Sequence, residues 1–315
     1  MKTLYVSDLD GTLLGSNERT SDFTNQTINE LVAQGMLFSY ATARSYLTAH
    51  KVTKGLDAQI PVIIYNGAFI RDHASGEILL SSYFADGAET LLQELRDADV
   101  YPLVYAGLTV GSGQGGGAPA DNGQSPQNNS ETDEHSQAEK FSGELQEKFS
   151  GELCEKFSYI PQHATEGMRR FLDTRKGDER ERAVSTMEEL LAGDIFYVTC
   201  IDEREKLMPL YERYRERYHC VLSQEIYTKA WFLEIMPITT SKARAVMRLK
   251  EYLGCDRVVA FGDHYNDIDM FEMADESYAV ENAVEELKAV ATGVIASNDD
   301  DGVAHFLRAH IGECK

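Results

Sequence analysis

At 315 residues, 43% of them hydrophobic, the chain has the length of one large domain or two ordinary ones and the composition of a globular protein. Its formal net charge of −22 argues against nucleic acid and anionic membrane surfaces as partners, because both recruit basic faces. An anionic substrate would therefore need a cation supplied locally. Cys154, Cys200, Cys220, Cys255 and Cys314 follow neither a metal-binding nor a disulfide spacing, which points to free thiols in a reducing, cytoplasmic setting. The N-terminus lacks the pattern of a signal peptide, and no run of ~18 apolar residues suggests a membrane span.

In chain order, residues 3–7 read as a buried strand that ends at Asp8-Leu9-Asp10-Gly11-Thr12. Two carboxylates at a strand's carboxyl end, before a glycine that permits a sharp turn, suit nucleophilic and acid–base work beside a metal. The competing reading is an Asp-Gly turn with solvated acids. A helix follows over about 24–34, stopped by Gly35, then a strand from Met36 to Ala41 ending at Thr42. Residues 45–54 read as helix and 62–65 as a strand ending at Asn66-Gly67. Segments 69–70 and 78–80 flank Ser75-Gly76 as a hairpin. Residues 86–97 suggest an amphipathic helix and 100–106 a strand.

Residues 111–138 then lack the apolar side chains needed to offset ordering entropy, so they read as disordered and dispensable. Gly111-x-Gly113-x-x-Gly116 matches a dinucleotide fingerprint in letters only, since no helix pattern follows it. An octad repeats next, from Glu139 to Gln146, from Glu147 to Cys154, and in part from Glu155 to Ser158. Its Phe and Leu residues recur every fourth position, a stripe that drifts by about 40° per step around a helix. Gly143 and Gly151 weaken a helix further, so this stretch reads as a duplicated insertion, partly helical at best.

Helices are expected at 165–172, 179–191 and 203–217, with strands at 196–200, 220–222 and 231–235. Helix 241–253 carries Lys242 in its first turn. Strand 257–261 ends at Gly262-Asp263, with His264, Asn266 and Asp267 close behind. Helices 267–274, 283–291 and 302–310 alternate with strands 278–280 and 293–296. Strand–helix alternation at both ends predicts an α/β fold, a doubly wound parallel Rossmann-like sheet with an inserted α/β cap domain. The expected catalytic core spans 1–84 and 237–315, the cap 85–236, and the low-complexity insertion about 108–158. Ser297-x-Asp299-x-Asp301-Gly302 imitates a calcium loop, but Arg308 stands where its last acid belongs. The better reading is an N-cap for the final helix.

Strand ends at Asp8, Thr42 and Asp263 would share one edge of a parallel sheet. They bring together acids, a hydroxyl, an amide and the Lys242 ammonium. Acids without His or Cys suit a hard cation such as Mg²⁺, and the ammonium suits phosphate oxygens. In order and spacing, Asp8-Leu9-Asp10-Gly11-Thr12, Thr42, Lys242 and Gly262-Asp263-x-x-Asn266-Asp267 resemble the four motifs of the haloacid dehalogenase superfamily. The closer similarity is to its Cof-type sugar-phosphate phosphatases, which carry a large α/β cap between the second and third motifs. Asn66-Gly67-Ala68 and the stretch from Ser297 to Val303 also resemble that branch. Ala43 and Ala243 depart from it where glycine is common, and His264 stands where Asn or Asp often does.

The resemblance implies a Mg²⁺-dependent phosphatase acting on a small phosphorylated metabolite. Asp8 would be the nucleophile that forms an aspartyl phosphate, and Asp10 the acid and then the base. Mg²⁺ would be held by Asp8, the backbone carbonyl of Asp10 and Asp263, with Asp267 behind them. Thr42, Lys242, Asn266 and the amides near Leu9 and Ala43 would hold the phosphate. Asp10 must be protonated to act as an acid, a form that like charges on Asp8 and Asp263 favour. His264 reads as an ordinary loop residue and Asn66 equally as turn former or substrate contact. Two alternatives are a phosphomutase using the same nucleophile and a non-catalytic phospho-ligand module, though every motif acid is intact. The identity of the substrate and the oligomeric state leave no signal in the sequence.

Overall fold

The computed structural model describes residues 1–57, 59–73, 75–109, 153–224 and 229–311. Its elements begin with β1 (Thr3–Ser7), α1 (Asp22–Ala33), β2 (Leu37–Tyr40), α2 (Tyr46–Val52), β3 (Val62–Ile64), β4 (Phe69–Arg71) and β5 (Ile78–Ser81). Next come α3 (Ala88–Asp97), β6 (Leu103–Thr109), β7 (Leu153–Tyr159), α4 (Glu166–Asp173), β8 (Glu181–Ala183), α5 (Met187–Leu190), β9 (Asp194–Asp202), α6 (Arg204–Tyr214), β10 (Tyr218–Gln224) and β11 (Trp231–Pro237). The chain closes with α7 (Lys242–Leu253), β12 (Arg257–Gly262), α8 (Ile268–Met273), β13 (Glu276–Val280), α9 (Glu285–Val290), β14 (Gly293–Ile295) and α10 (Gly302–Ile311).

β1 and β12 are apolar runs with no charged residue beyond Arg257, and both are buried on two faces, as strands of a parallel sheet covered by helices must be. They pair in a five-stranded parallel sheet of order β14-β13-β12-β1-β2. The chain leaves β1 toward β2 and later returns to the other side at β12. The sheet therefore reverses its order between β1 and β12, the crevice where such sheets bind ligands. This is the doubly wound α/β architecture that the alternating pattern predicts. A parallel bridge between Ala41 and Ile63 ties it to the antiparallel β3-β4-β5 hairpin unit.

A second sheet of order β10-β11-β9-β6-β7-β8 is antiparallel apart from its β7–β8 pair. Alternation divides its faces. Val104, Val198, Cys200, Leu233 and Ile235 pack outward with α3 and α6 residues, while Leu103, Tyr105, Phe157, Tyr197, Ile201 and Met236 join the core cluster of the parallel sheet. The second sheet thus lies over the first. Polar contacts also join it to the β3–β5 unit: among them, the Tyr65 hydroxyl donates to Glu155 at 3.1 Å, and Arg71 pairs with Glu155 at 2.7 Å.

Two expectations fail here. Residues 155–158, the last copy of the octad, belong to strand β7, with Phe157 opposite Tyr105. A spacing of four drifts around a helix but stays on one face of a strand, whose period is two. The segment 179–191 is not one helix. It holds strand β8 and the short α5, started by a capping box in which Thr186 and Glu189 cap each other's backbone. The insertion expected at about 108–158 therefore ends inside the sheet. The disorder expected for 111–138 and the first octad copies lie outside the described residues. Among the described residues no helix is long and apolar enough to cross a membrane.

Candidate active site

Asp8 follows β1 directly, and its amide donates to Phe261 of β12 at 2.9 Å, which fixes it at the crevice. Asp263 follows β12 and accepts from the Thr12 hydroxyl at 3.0 Å. Asp267 sits one turn later, wholly buried, and its Oδ2 accepts from the amides of Asp263 at 3.1 Å and His264 at 3.2 Å. Carboxylate oxygens of Asp8, Asp263 and Asp267 lie within 4.8 Å of one another. Lys242, brought in by the first turn of α7, donates to Asp8 Oδ1 at 2.5 Å and to Asp267 Oδ1 at 2.8 Å.

Gly11 makes this approach possible. Its φ is +79°, and a Cβ there would stand 2.3 Å from an Asp263 carboxylate oxygen.

The charges do not cancel. Three buried carboxylates face one ammonium. Burial raises the Asp8 acid well above its usual range, and Asp267, Asp263 and Asp10 add to this against Lys242. Burial and then Asp267 push Asp263 up to about 7. Burial alone would lower Lys242, but Asp267 and Asp8 outweigh it and hold the ammonium charged. A divalent cation bound among these carboxylates would supply the missing positive charge. An all-oxygen donor set without His or Cys fits a hard ion such as Mg²⁺.

Asp10 is placed differently. Its carboxylate turns out of the cluster, and Arg44 forks onto both oxygens, Nε to Oδ2 at 2.8 Å and Nη2 to Oδ1 at 2.5 Å. Only neighbouring acids were expected to govern Asp10, so this guanidinium is the residue the sequence reading missed. Its position two residues beyond Thr42, at the same sheet edge as Asp10, was the available signal. Thr42 is fully buried, and its hydroxyl accepts the Arg44 amide at 3.1 Å. Ala43 lies between them on the same turn. Leu9 is buried, and its carbonyl gathers the amides of Thr12, Leu13 and Leu14. Asn266 is half-buried on the turn Tyr265–Asp267. His264 opens that turn, its amide donating to Asp267 Oδ2 and its carbonyl accepting the Asp267 amide.

Asn66 is 1% exposed. Its amide N–H donates to the Thr42 carbonyl at 2.9 Å, and its side chain reaches Tyr197 of β9. The Ser297–Asp301 stretch differs from the capping role expected for its acids. Asp299 accepts from Ser16, and the Asp301 carboxylate from Ser21 and Thr24, so both brace the segment that follows the Asp8–Thr12 motif.

Residues 5–307 match the family model of haloacid dehalogenase-like hydrolases. The chain is 29% identical over 314 residues to the 5-amino-6-(5-phospho-D-ribitylamino)uracil phosphatase YwtE of Bacillus subtilis (strain 168), covering 98% of this chain and 97% of that one. It is 24% identical to YitU of the same organism, which bears the same phosphatase name, over 98% and 97% of the two chains. Among solved structures, TM0651 from Thermotoga maritima superposes with a TM-score of 0.68 at 22% identity, over 98% of this chain and 97% of that one.

Proposed function

This chain belongs to the haloacid dehalogenase-like hydrolase family, in its Cof-type branch, and is a phosphatase; from that membership we propose that it hydrolyses a small phosphorylated metabolite, a sugar phosphate or related phosphomonoester. What supports this reading most is the buried cluster of Asp8, Asp263, Asp267 and Lys242 at the point where the sheet reverses its order. The name of the relative YwtE specifies a phosphorylated ribityl chain, a phosphomonoester of the proposed kind.

Asp8 attacks phosphorus in line, and the ester P–O bond breaks as an aspartyl phosphate forms. Asp10 gives its proton to the departing alcohol. It then takes a proton from the water that attacks the aspartyl phosphate, releasing inorganic phosphate and restoring Asp8. Lys242, Thr42, Asn266 and the amides near Leu9 and Ala43 hold the phosphoryl oxygens. In this structure Arg44 holds both Asp10 oxygens outside the cluster, so Asp10 serves the leaving oxygen only after it turns off Arg44 toward Asp8. Asp8, the Asp10 carbonyl and Asp263 would hold Mg²⁺, with Asp267 behind; bound there, the ion screens the negative charge that nucleophile and phosphoryl group share.

We place the catalytic core at 1–84 and 237–315 and the cap at 85–236. A site at a sheet edge is open to solvent unless something covers it, and the second sheet supplies that cover. The test is inorganic phosphate released from a panel of phosphorylated metabolites, with Mg²⁺ and with EDTA. Release that needs Mg²⁺ is expected. Release undiminished by EDTA, or none from any ester, contradicts the reading.

A further inference from the structure

The loop that follows the Asp8–Thr12 motif closes on itself. The Gly15 amide donates to the Arg19 carbonyl at 3.1 Å, and the Glu18 amide to the Gly15 carbonyl at 2.9 Å. Asp299 grips Ser16 from outside, accepting from its amide at 2.7 Å and its hydroxyl at 2.6 Å. Within this loop Glu18 takes left-handed backbone, with φ of +57°. That conformation is uncommon for a glutamate and persists where surrounding contacts over-determine it, often at functional sites. The loop therefore fixes where the Glu18 side chain begins.

That side chain stands beside Arg44. Glu18 Oε2 lies 3.7 Å from Arg44 Nη2, the same nitrogen that donates to Asp10 Oδ1 at 2.5 Å. Among the described residues Glu18 pairs with no other cation. Arg44 is anchored through its backbone, whose amide donates to the Thr42 hydroxyl and whose carbonyl accepts the Tyr65 amide. One guanidinium thus faces two carboxylates. Asp10 occupies its Nε and Nη2, and Glu18 stands just outside hydrogen-bonding distance.

This arrangement bears on a step of the proposed reaction. Asp10 must leave Arg44 before it reaches the leaving oxygen. The Arg44 side chain is only 22% exposed, so that departure strips a mostly buried charge of its partner, which is costly. A second carboxylate at the same nitrogen reduces the cost. A shift of about 1 Å brings Glu18 to the distance of a charge-assisted bond. Its side chain is 48% exposed and has room for that shift while its backbone stays fixed.

We propose that Glu18 takes over the Arg44 guanidinium when Asp10 turns toward the leaving group, and so governs how readily Asp10 enters the reaction. Glu18 is then a positioning residue, acting through Arg44 and touching neither ester nor metal. The proposal rests on the phosphatase reading above.

The leaving group reports on it. A nitrophenolate departs without a proton, whereas an alkoxide needs one from Asp10. The experiment compares kcat/KM for p-nitrophenyl phosphate and ribitol 5-phosphate in the wild type and Glu18→Gln, with melting curves to confirm folding. Glu18→Gln should lower the alkyl ester about tenfold and the aryl ester less than about twofold. A merely structural role would lower both by one common factor. That result, or no change in either, overturns the inference and leaves the phosphatase reading standing. No release from either ester by the wild type removes both. A crystal structure with Mg²⁺ and vanadate, a mimic of the phosphoryl group in transfer, gives a second readout. Asp10 should then lie off Arg44, with Glu18 within about 3 Å of Nη2. Arg44 still paired with Asp10, or bound to the vanadate with Glu18 apart, overturns the inference as well.

Discussion

Asp263 carries the sharpest residue-scale consequence. Its acid is pushed up to about 7 by burial and then by Asp267, against an ordinary value near 3.8. A carboxylic acid raised in the folded state binds its proton more tightly there than in the unfolded chain. The metal-free protein therefore gains stability as pH falls from above 7 toward 4, and loses it as pH rises through about 7. A divalent cation needs the ionised form, so its stabilising effect should weaken over the same fall in pH. Melting temperatures with and without Mg²⁺, read between about pH 5.5 and 8, should show the Mg²⁺-induced gain shrinking toward acid. The trend should be reduced in Asp263→Asn. A Mg²⁺ gain that is the same at every pH would contradict it.

Also at the residue scale, the gathering of Asp8, Asp263 and Asp267 was legible because each stands at, or one turn beyond, the carboxyl end of a buried apolar strand. Arg44 and Glu18 were not. Each is an ordinary charged residue until the fold sets the two together beside Asp10, and no spacing rule encodes that meeting.

Among the elements, strands β1, β2 and β12 were readable because a buried parallel strand is a continuous apolar run bounded by turn residues. The β3–β4 turn was read as Asn66-Gly67, a turn former or a substrate contact, while the contact it makes across the fold left no signal in the sequence. Gly67 has φ +97°, and a Cβ there would lie 2.3 Å from the Ser241 carbonyl oxygen. Gly35 has nearly the same φ, +98°, with nothing near the added atom. Both alanine variants lose the glycine's conformational freedom, but only Gly67→Ala meets fixed backbone. Gly35→Ala should destabilise by about 1 kcal/mol. Gly67→Ala should cost about 1–3 kcal/mol more and lower activity by displacing the start of α7. Chemical denaturation of the two variants measures this, and equal midpoints would show that the turn yields without strain. Strand β7 teaches a related lesson. Its every-fourth-residue pattern fits a strand as well as a drifting helix, and only pairing with β6 decides between them.

For the whole molecule, alternation of strand and helix at the two ends of the chain foretold one parallel sheet, because its halves need each other to complete the order β14-β13-β12-β1-β2. The way the second sheet sits over it was not legible. That depends on which face of each strand finds apolar partners, and Tyr105, Phe157 and Tyr197 settle it only once the strands are paired. The account's central claim is that the core performs phosphoryl transfer through Asp8, whatever the cover selects. Asp8→Asn tests it most directly, since an amide of the same shape is a poor nucleophile. Phosphate release by this variant should fall by ~10³-fold or more on every ester the wild type accepts, with the fold intact by circular dichroism. Turnover above about a tenth of the wild-type rate in a folded Asp8→Asn protein would contradict the account.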